Sequence, residues 1–337
     1  MLPTLPLFVG LDYSQYAIQL CVLDPQGKVL CNRPVDDSAD AINTAVRRFG
    51  TVKGAALEAC TGAANLAQEL ADRFAWPVHL AHPGFVSRMK QSPDKTDFSD
   101  ARILADLERV GYLPRVWIAP QPLRELRTLV RDRQQLAAQR RNLKLQIGAL
   151  LREHRLRSSY NRWTRAWFAW LQKEAPLPEQ ARWVLEQRLR RLAWIIEEIR
   201  TVEARLEQVT TNDATIRWLR TVKGIGPVTA WTLRAEIGRF DRFRSGKQLA
   251  RYCGLTPCNR SSGECQADAG LIRAANPELR RVLIEAAWLL ARLQPRWQQL
   301  AQRLKARGKP STVVIAAVAN RFVRWLYHEG VRQQAAA

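Results

Sequence analysis

Leucine or isoleucine returns every seventh residue twice in this chain, at Leu129, Leu136, Leu143 and Leu150, and again at Leu185, Leu192, Ile199 and Leu206. A seven-residue apolar period holds one stripe on one side of an α-helix, so each series predicts a long helix with a single face to bury. Ile195, Val202 and Val209 accompany the second stripe. The stripes suit a coiled-coil hairpin within the chain or a seam between two copies of it. Residues 121–210 are therefore expected to be a helical coiled-coil region. The connector Trp163-Thr164-Arg165-Ala166-Trp167-Phe168-Ala169-Trp170 spaces its aromatic residues helically, which favours core packing over stacking on nucleic-acid bases.

The segment before residue 115 reads differently. Phe8 to about Leu30 predicts strand, polar turn and strand, with Asp24-Pro25-Gln26-Gly27-Lys28 as a hairpin turn into Val29-Leu30. A strand ending at Glu58, a helix from about Gly62 to Phe74 and a strand through Pro77-Val78-His79-Leu80 follow. Two carboxylates stand at the ends of apolar strands: Asp12 after Phe8-Val9-Gly10-Leu11, and Glu58 after Ala55-Ala56-Leu57. An acid in such a place must be paired, protonated or bound to metal. Asp97 and Asp100 stand three apart just before Ile103, Leu104 and Leu107, a spacing that projects both from one face of a helix start. Asp97 alone would serve as a helix cap. The four acids together suggest one site for a hard divalent cation such as magnesium, with a ribonuclease H-like sheet as its support.

Charge divides the chain at the same place. Residues 1–120 carry 12 Lys and Arg against 13 Asp and Glu, whereas residues 121–337 carry 41 against 18. A field of that sign attracts polyanions, and nucleic acid is the natural candidate because Lys and Arg displace condensed counterions from phosphates. A membrane partner is not expected, since the longest C-terminal apolar run, Val313 to Ala319, is too short to span a bilayer. Met1 to Val9 lack a basic n-region and a small-residue cleavage site, so a cytoplasmic protein with reduced thiols is expected. Cys253, Cys258 and Cys265 lack the paired spacing of structural zinc.

The region 211–337 is helical and basic. Leu219 to Ala230 sets Lys223-Gly224-Ile225-Gly226 between two apolar segments, an arrangement suited to a helix-hairpin-helix element whose turn amides hold a phosphate. Steric need explains turn glycines equally well. After a helix through Lys247-Gln248-Leu249-Ala250 comes Tyr252 to Glu264, which includes Arg260-Ser261-Ser262-Gly263. A serine beside an arginine, in a chain with a metal-type acid set, could attack a phosphodiester.

The order of these motifs resembles the insertion sequence 110 family of bacterial transposases, recombinases with a DEDD RuvC-like domain followed by a serine-bearing transposase domain. Phe8 to Asp12, Leu57 to Gly62 and Lys95 to Ala101 look like the first three family motifs; Val222 to Thr229, Gly254-Leu255-Thr256-Pro257 and Ser261-Ser262-Gly263 look like the later ones. The resemblance covers nearly the whole chain. It implies that Asp12, Glu58, Asp97 and Asp100 bind Mg2+, and that Ser261, by its offset after Pro257, is the nucleophile, with Ser262 as the alternative. Lys223, Gly224, Gly226, Arg260 and Arg273 are the expected nucleic-acid contacts. One segment departs from the family: in Gly270-Leu271-Ile272-Arg273-Ala274-Ala275-Asn276 the basic residue is kept as Arg273, but Ala275 replaces a glycine.

The expected fold is thus α/β plus all-α. It comprises a ribonuclease H-like (RuvC-like) domain over 1–115, a helical coiled-coil region over 121–210, and a helical serine-bearing transposase domain with a helix-hairpin-helix-like element over 211–337. The resemblance further implies donor and target DNA, a non-coding bridge RNA and a homo-oligomer, dimer or tetramer, as partners. Its rivals are a site-specific DNA invertase of the same architecture, a RuvC-like nuclease or resolvase that uses metal-activated water, and a non-catalytic nucleic-acid-binding assembly protein.

Overall fold

A computed structural model describes residues 5–13, 17–89, 97–259 and 268–335, and the chain divides into two compact units, Met1–Pro120 and Gln121–Ala337. In the first, β1 (Pro6–Tyr13) buries Leu7, Val9 and Leu11 at alternate positions. A two-residue period of this kind seats one face of a strand on a core. β2 (Ile18–Leu23) runs antiparallel to β1, and β3 (Val29–Val35) antiparallel to β2. The intervening turn forms where expected: the Asp24 carboxylate accepts from the amides of Gln26 and Lys28, both at 2.9 Å, and Gly27 takes φ +84°.

Next come α1 (Ala39–Val46), whose cap Ser38 accepts from the Ala41 amide, then β4 (Thr51–Glu58), α2 (Ala63–Phe74), β5 (Val78–Ala81), α3 (Pro83–Met89), α4 (Asp97–Arg109) and β6 (Arg115–Val116). Sheet order is β3-β2-β1-β4-β5-β6, with β1, β4 and β5 parallel and β6 antiparallel to β5. The core of Leu7, Val9, Leu11, Ile42, Val46, Leu66 and Leu70 places α1 and α2 on one sheet face. α1, α3 and β6 add to the elements expected from sequence.

The second unit opens with α5 (Gln121–Glu153), α6 (Arg165–Lys173) and α7 (Glu179–Thr210). Leu136, Leu143, Ile147 and Leu151 share one core with Leu185, Leu192, Ile195 and Ile199, so the two stripes meet within one chain. Arg133 donates to Glu203 at 2.9 Å and Arg188 to the Gln146 carbonyl at 2.9 Å, which pins α7 along α5. The second stripe is buried through its last member, Leu206, while the accompanying Val209 is 46% exposed. Trp167 is fully buried in the same core, with Trp163 and Phe168 packed around it, as a helical aromatic spacing predicts.

α8 (Ala214–Thr221) and α9 (Pro227–Ile237) follow, joined by the glycine turn and clamped by Asp213, which caps α8 and accepts from Arg234 at 2.7 Å. After α10 (Gly246–Tyr252), the short strands β7 (Pro257–Asn259) and β8 (Asp268–Leu271) pair antiparallel. The chain then runs through α11 (Pro277–Leu293), α12 (Pro295–Ala306) and α13 (Ser311–Ala335). Among the described residues no helix is long and apolar enough to cross a membrane. The architecture is a mixed α/β sheet unit followed by a helical one.

Candidate active site

Glycine decides how α4 meets the sheet. A Cβ at Gly10 would lie 1.9 Å from the Ala101 carbonyl oxygen and 2.6 Å from the Ala105 amide, so α4 rests directly on the backbone of β1. On β4 a Cβ at Gly54 would meet Glu108 Oε1 at 2.7 Å, and Ala56 packs with Leu104. Gly10, Gly54 and Ala56 therefore occupy the α4 face, opposite the core of Val9 and Leu11.

Strand periodicity carries that face onward by two residues, to Asp12 on β1 and Glu58 on β4. The strands are parallel neighbours with Leu11 paired to Leu57, so the two acids follow side by side at one edge of the sheet. α4 brings the other pair. Asp100 precedes Ala101, the residue on Gly10, and is only 5% exposed; Asp97, one turn earlier, is exposed. The first turn is tied to β3 by Asn32, which donates to the Phe98 carbonyl at 3.0 Å and accepts from Gln19 at 2.6 Å.

The far end of α4 is anchored by an acid that the sequence reading overlooks. Glu108, with a side chain 4% exposed, accepts from Arg115 at 2.9 Å and meets His79 Nδ1 at 2.9 Å, linking α4 to β6 and β5. Its signal was available, because Ala101, Leu104, Ala105 and Glu108 fall on one helical stripe and only the last is charged. A charged residue on an apolar stripe needs partners.

Cys60, just past β4, reports on the electrostatics of the edge. Desolvation pushes its thiol up and the nearby Glu58 carboxylate adds to the shift; the Ala63 amide lowers it, and Asp12 adds the smallest upward contribution. Both strand-end acids thus act on one sulfur atom. Among the described residues no three His, Cys, Asp or Glu side chains stand close enough together to hold an ion. The topology brings Asp12, Glu58 and Asp100 to one face and one edge without closing them into a cage.

In the second unit, Lys223 is exposed and Gly224 takes φ +88°, where a Cβ would also press on Leu290 at 3.0 Å. Gly226, the residue before α9, has an ordinary φ of −87° and nothing within 4 Å of a Cβ, so neither backbone nor packing requires glycine there. Arg273 is exposed. Arg260, Ser261 and Ser262 lie outside the described residues.

The departure at Ala275 is accommodated. Ala275 is absent from the positions of positive φ, and its methyl faces Gly254, where a Cβ would approach to 2.7 Å. Asn276 then caps α11 by accepting from the amides of Glu278 and Leu279, and donates to Glu236 at 2.9 Å. Glu236 is a second overlooked buried acid. Arg131 grips both its oxygens, at 3.0 and 3.2 Å, and this bond holds the guanidinium above its ordinary pKa despite partial burial.

A DEDD transposase model of the IS110 type matches residues 9–155, a span that holds all four acids, and the Transposase IS116/IS110/IS902 family model matches residues 216–302. The chain is 30% identical over 271 residues to the y4qE protein of Sinorhizobium fredii, which carries a transposase designation, covering 73% of this chain and 67% of that one.

The chain belongs to the IS110 family of transposases.

Within that family it is 26% identical over 293 residues to the transposase for insertion sequence element IS1111A of Coxiella burnetii, covering 84% of this chain and 78% of that one. It is also 30% identical over 111 residues to a pilin gene-inverting protein of Moraxella bovis, a match to 32% of this chain and 34% of that one. Transposases of this family are DNA-cleaving and joining enzymes. The DEDD domain implies a divalent metal ion, and hard carboxylate oxygens are suitable donors.

Proposed function

We propose that the protein moves or rearranges DNA by cutting and rejoining strands, with Asp12, Glu58, Asp97 and Asp100 as ligands of Mg2+ and Ser261 as nucleophile. The observation that carries this reading is the shared face of Asp12 and Glu58 at the edge of two parallel strands, under the helix whose first turn holds buried Asp100. The strand order, three antiparallel strands followed by parallel ones under a crossing helix, supports a ribonuclease H-like fold. The α8-turn-α9 unit supports a helix-hairpin-helix element, and the α5 and α7 pairing a coiled-coil hairpin.

Magnesium held by the four acids would stabilise negative charge on a scissile phosphate. The Ser261 hydroxyl attacks phosphorus: a serine O–P bond forms, the bond to the leaving DNA hydroxyl breaks, and the DNA is held as a covalent ester. A hydroxyl of a second DNA end then attacks that ester and releases the serine. Lys223, Arg260 and Arg273 neutralise backbone phosphates, and the open space at Gly226 lets a phosphate approach the α9 N-terminus. Donor and target DNA are the substrates, a bridge RNA supplies their sequence choice, and two or four copies assemble around them.

Inversion is the second reading, favoured by the likeness to the pilin gene-inverting protein. The chemistry is common to both, so the deciding experiment captures the covalent intermediate. Denaturation during strand cleavage should leave DNA on the protein, and peptide mapping should find it at Ser261. Cleavage without an adduct would favour metal-activated water. Sequencing RNA that copurifies with the protein tests the guide, with one discrete structured species expected and random fragments counting against it.

A further inference from the structure

The loop from 154 to 164, between α5 and α6, gathers cations that it does not pair. A cavity of about 810 Å³ opens at this tip of the helical hairpin, walled by Arg152, Arg155, Arg157, Arg162, Tyr160 and Trp170 over the buried Trp167. No carboxylate lines it, and none of the four guanidiniums is ion-paired among the described residues. The carbonyl end of α5 attracts cations and accounts in part for Arg152 and Arg155. Arg157 and Arg162 lie beyond that helix end.

Backbone conformation singles out the same place. Arg155 closes α5 at φ +55°, with its amide donating to Arg152 and the next amide, of Leu156, to Leu151 at 2.8 Å. This left-handed position is the one glycine ordinarily fills. Trp163, in the same loop, also has positive φ, at +70°. Large side chains are kept where glycine would relieve the backbone, and such cost gathers at functional sites.

We propose that this cavity binds one unpaired nucleotide of a nucleic-acid strand, its base against Tyr160 and Trp170 and its phosphates on the surrounding arginines. The volume falls within the range of roughly 300–1,000 Å³ usual for ligand pockets. Guanidinium planes match phosphate oxygens bidentately, and aromatic faces stack on any base. A duplex cannot use the pocket without first unstacking a base, so single strands are preferred. The site shares no residue with the acid set.

The test uses the full-length protein and short fluorescein-labelled oligonucleotides of one sequence, as single-stranded RNA, single-stranded DNA and duplex. Arg155→Gly removes a cation while relieving the backbone, so its melting temperature should hold or rise and weaker binding cannot reflect unfolding. Arg155→Gly and Tyr160→Leu should each weaken single-strand binding by roughly 5- to 100-fold and duplex binding far less. The RNA and DNA arms identify the strand that supplies the nucleotide. Equal losses on single strand and duplex, no loss, or full displacement by inorganic phosphate would overturn the proposal. Photocrosslinking of a 5-iodouridine strand should map to Tyr160 or Trp170, and crosslinks only elsewhere would also overturn it. An Asp12→Asn protein should bind the strand normally, which separates this site from the cutting reaction.

Discussion

Glu58 in the sheet unit and Glu236 in the helical unit are both acids within folded structure, but they are held in opposite ways. Glu58 is delivered to the sheet edge by strand register beside Asp12, with α4 laid over the same face. Glu236 is clasped by Arg131 and Asn276. The sheet edge gathers like charges, whereas Glu236 is neutralised by one arginine and an amide, as Glu108 is by Arg115 and His79 away from that edge. The first arrangement suits the metal-ligand role proposed above and the second a structural one. The same division appears in the charge, since all of the positive excess lies beyond residue 120.

The largest expected effect tests whether the basic unit also contributes chemistry. Ser261→Ala should abolish the covalent DNA adduct while leaving nucleic-acid affinity within about twofold, since no charge is lost. Adduct mapped to Ser262 would shift the role by one residue, and normal recombination by the Ser261→Ala, Ser262→Ala double variant would confine chemistry to the sheet unit. Next in size, Asp12→Asn or Asp100→Asn should slow strand cleavage by roughly 10²- to 10⁴-fold, the worth of several kcal/mol of charge stabilisation, with binding preserved. Calorimetry should record loss of Mg2+ binding in the same variants. Full cleavage by both would sink the shared-site reading.

Gly10→Ala asks whether register alone positions the acids. Its Cβ meets backbone rather than a movable side chain, so α4 must shift, at a cost of about 1–3 kcal/mol or more. Thermal unfolding should move down and cleavage should fall together, although no carboxylate has been altered. In the helical unit, Arg131→Ala leaves Glu236 with the Asn276 hydrogen bond and the nearby Arg127 charge. Arg131 is itself 58% exposed, which screens the pair, so a loss of about 1–2 kcal/mol is expected in the denaturant midpoint, with cleavage chemistry unaffected in the folded protein.

The smallest effect is a change in thiol reactivity. Glu58 and Asp12 help hold the Cys60 thiol above its usual pKa, so Glu58→Gln should lower that pKa and speed alkylation at mildly alkaline pH. Added Mg2+ should do the same in the unaltered protein if it neutralises these carboxylates. Burial pushes Cys21 to about 12, so it serves as a silent control when alkylated peptides are mapped. A Cys60 rate indifferent to both changes would separate the thiol from the acid edge.

Much of the local plan was legible. The Asp24 to Lys28 turn, the strands ending at Asp12 and Glu58, the start of α4 at Asp97 and the two long helices all follow from periodicity and turn chemistry, which act over neighbouring residues. Val209 lies outside the core although Leu206 before it and Thr210 after it are buried, because an apolar spacing names positions that could face a partner, not which of them the partner reaches. Glu108 and Glu236 were missed for a related reason. Each lies within a helix, and its partners, His79 and Arg115 for one and Arg131 and Asn276 for the other, are recruited from other elements.

By itself the sequence determined the main strands and the two long helices, that a sheet unit precedes a basic helical one, and which acids end apolar strands. These depend on side-chain spacing and composition, properties that a segment carries with it. Only the tertiary structure decided that Gly10 and Gly54 are the seats of α4, that Asp12 and Glu58 lie on its face, and that Asp100 is buried while Asp97 is exposed. Those outcomes rest on strand register and on the close approach of backbones distant in sequence. Glycine at position 10 permits that approach, but only the folded partner gives it meaning.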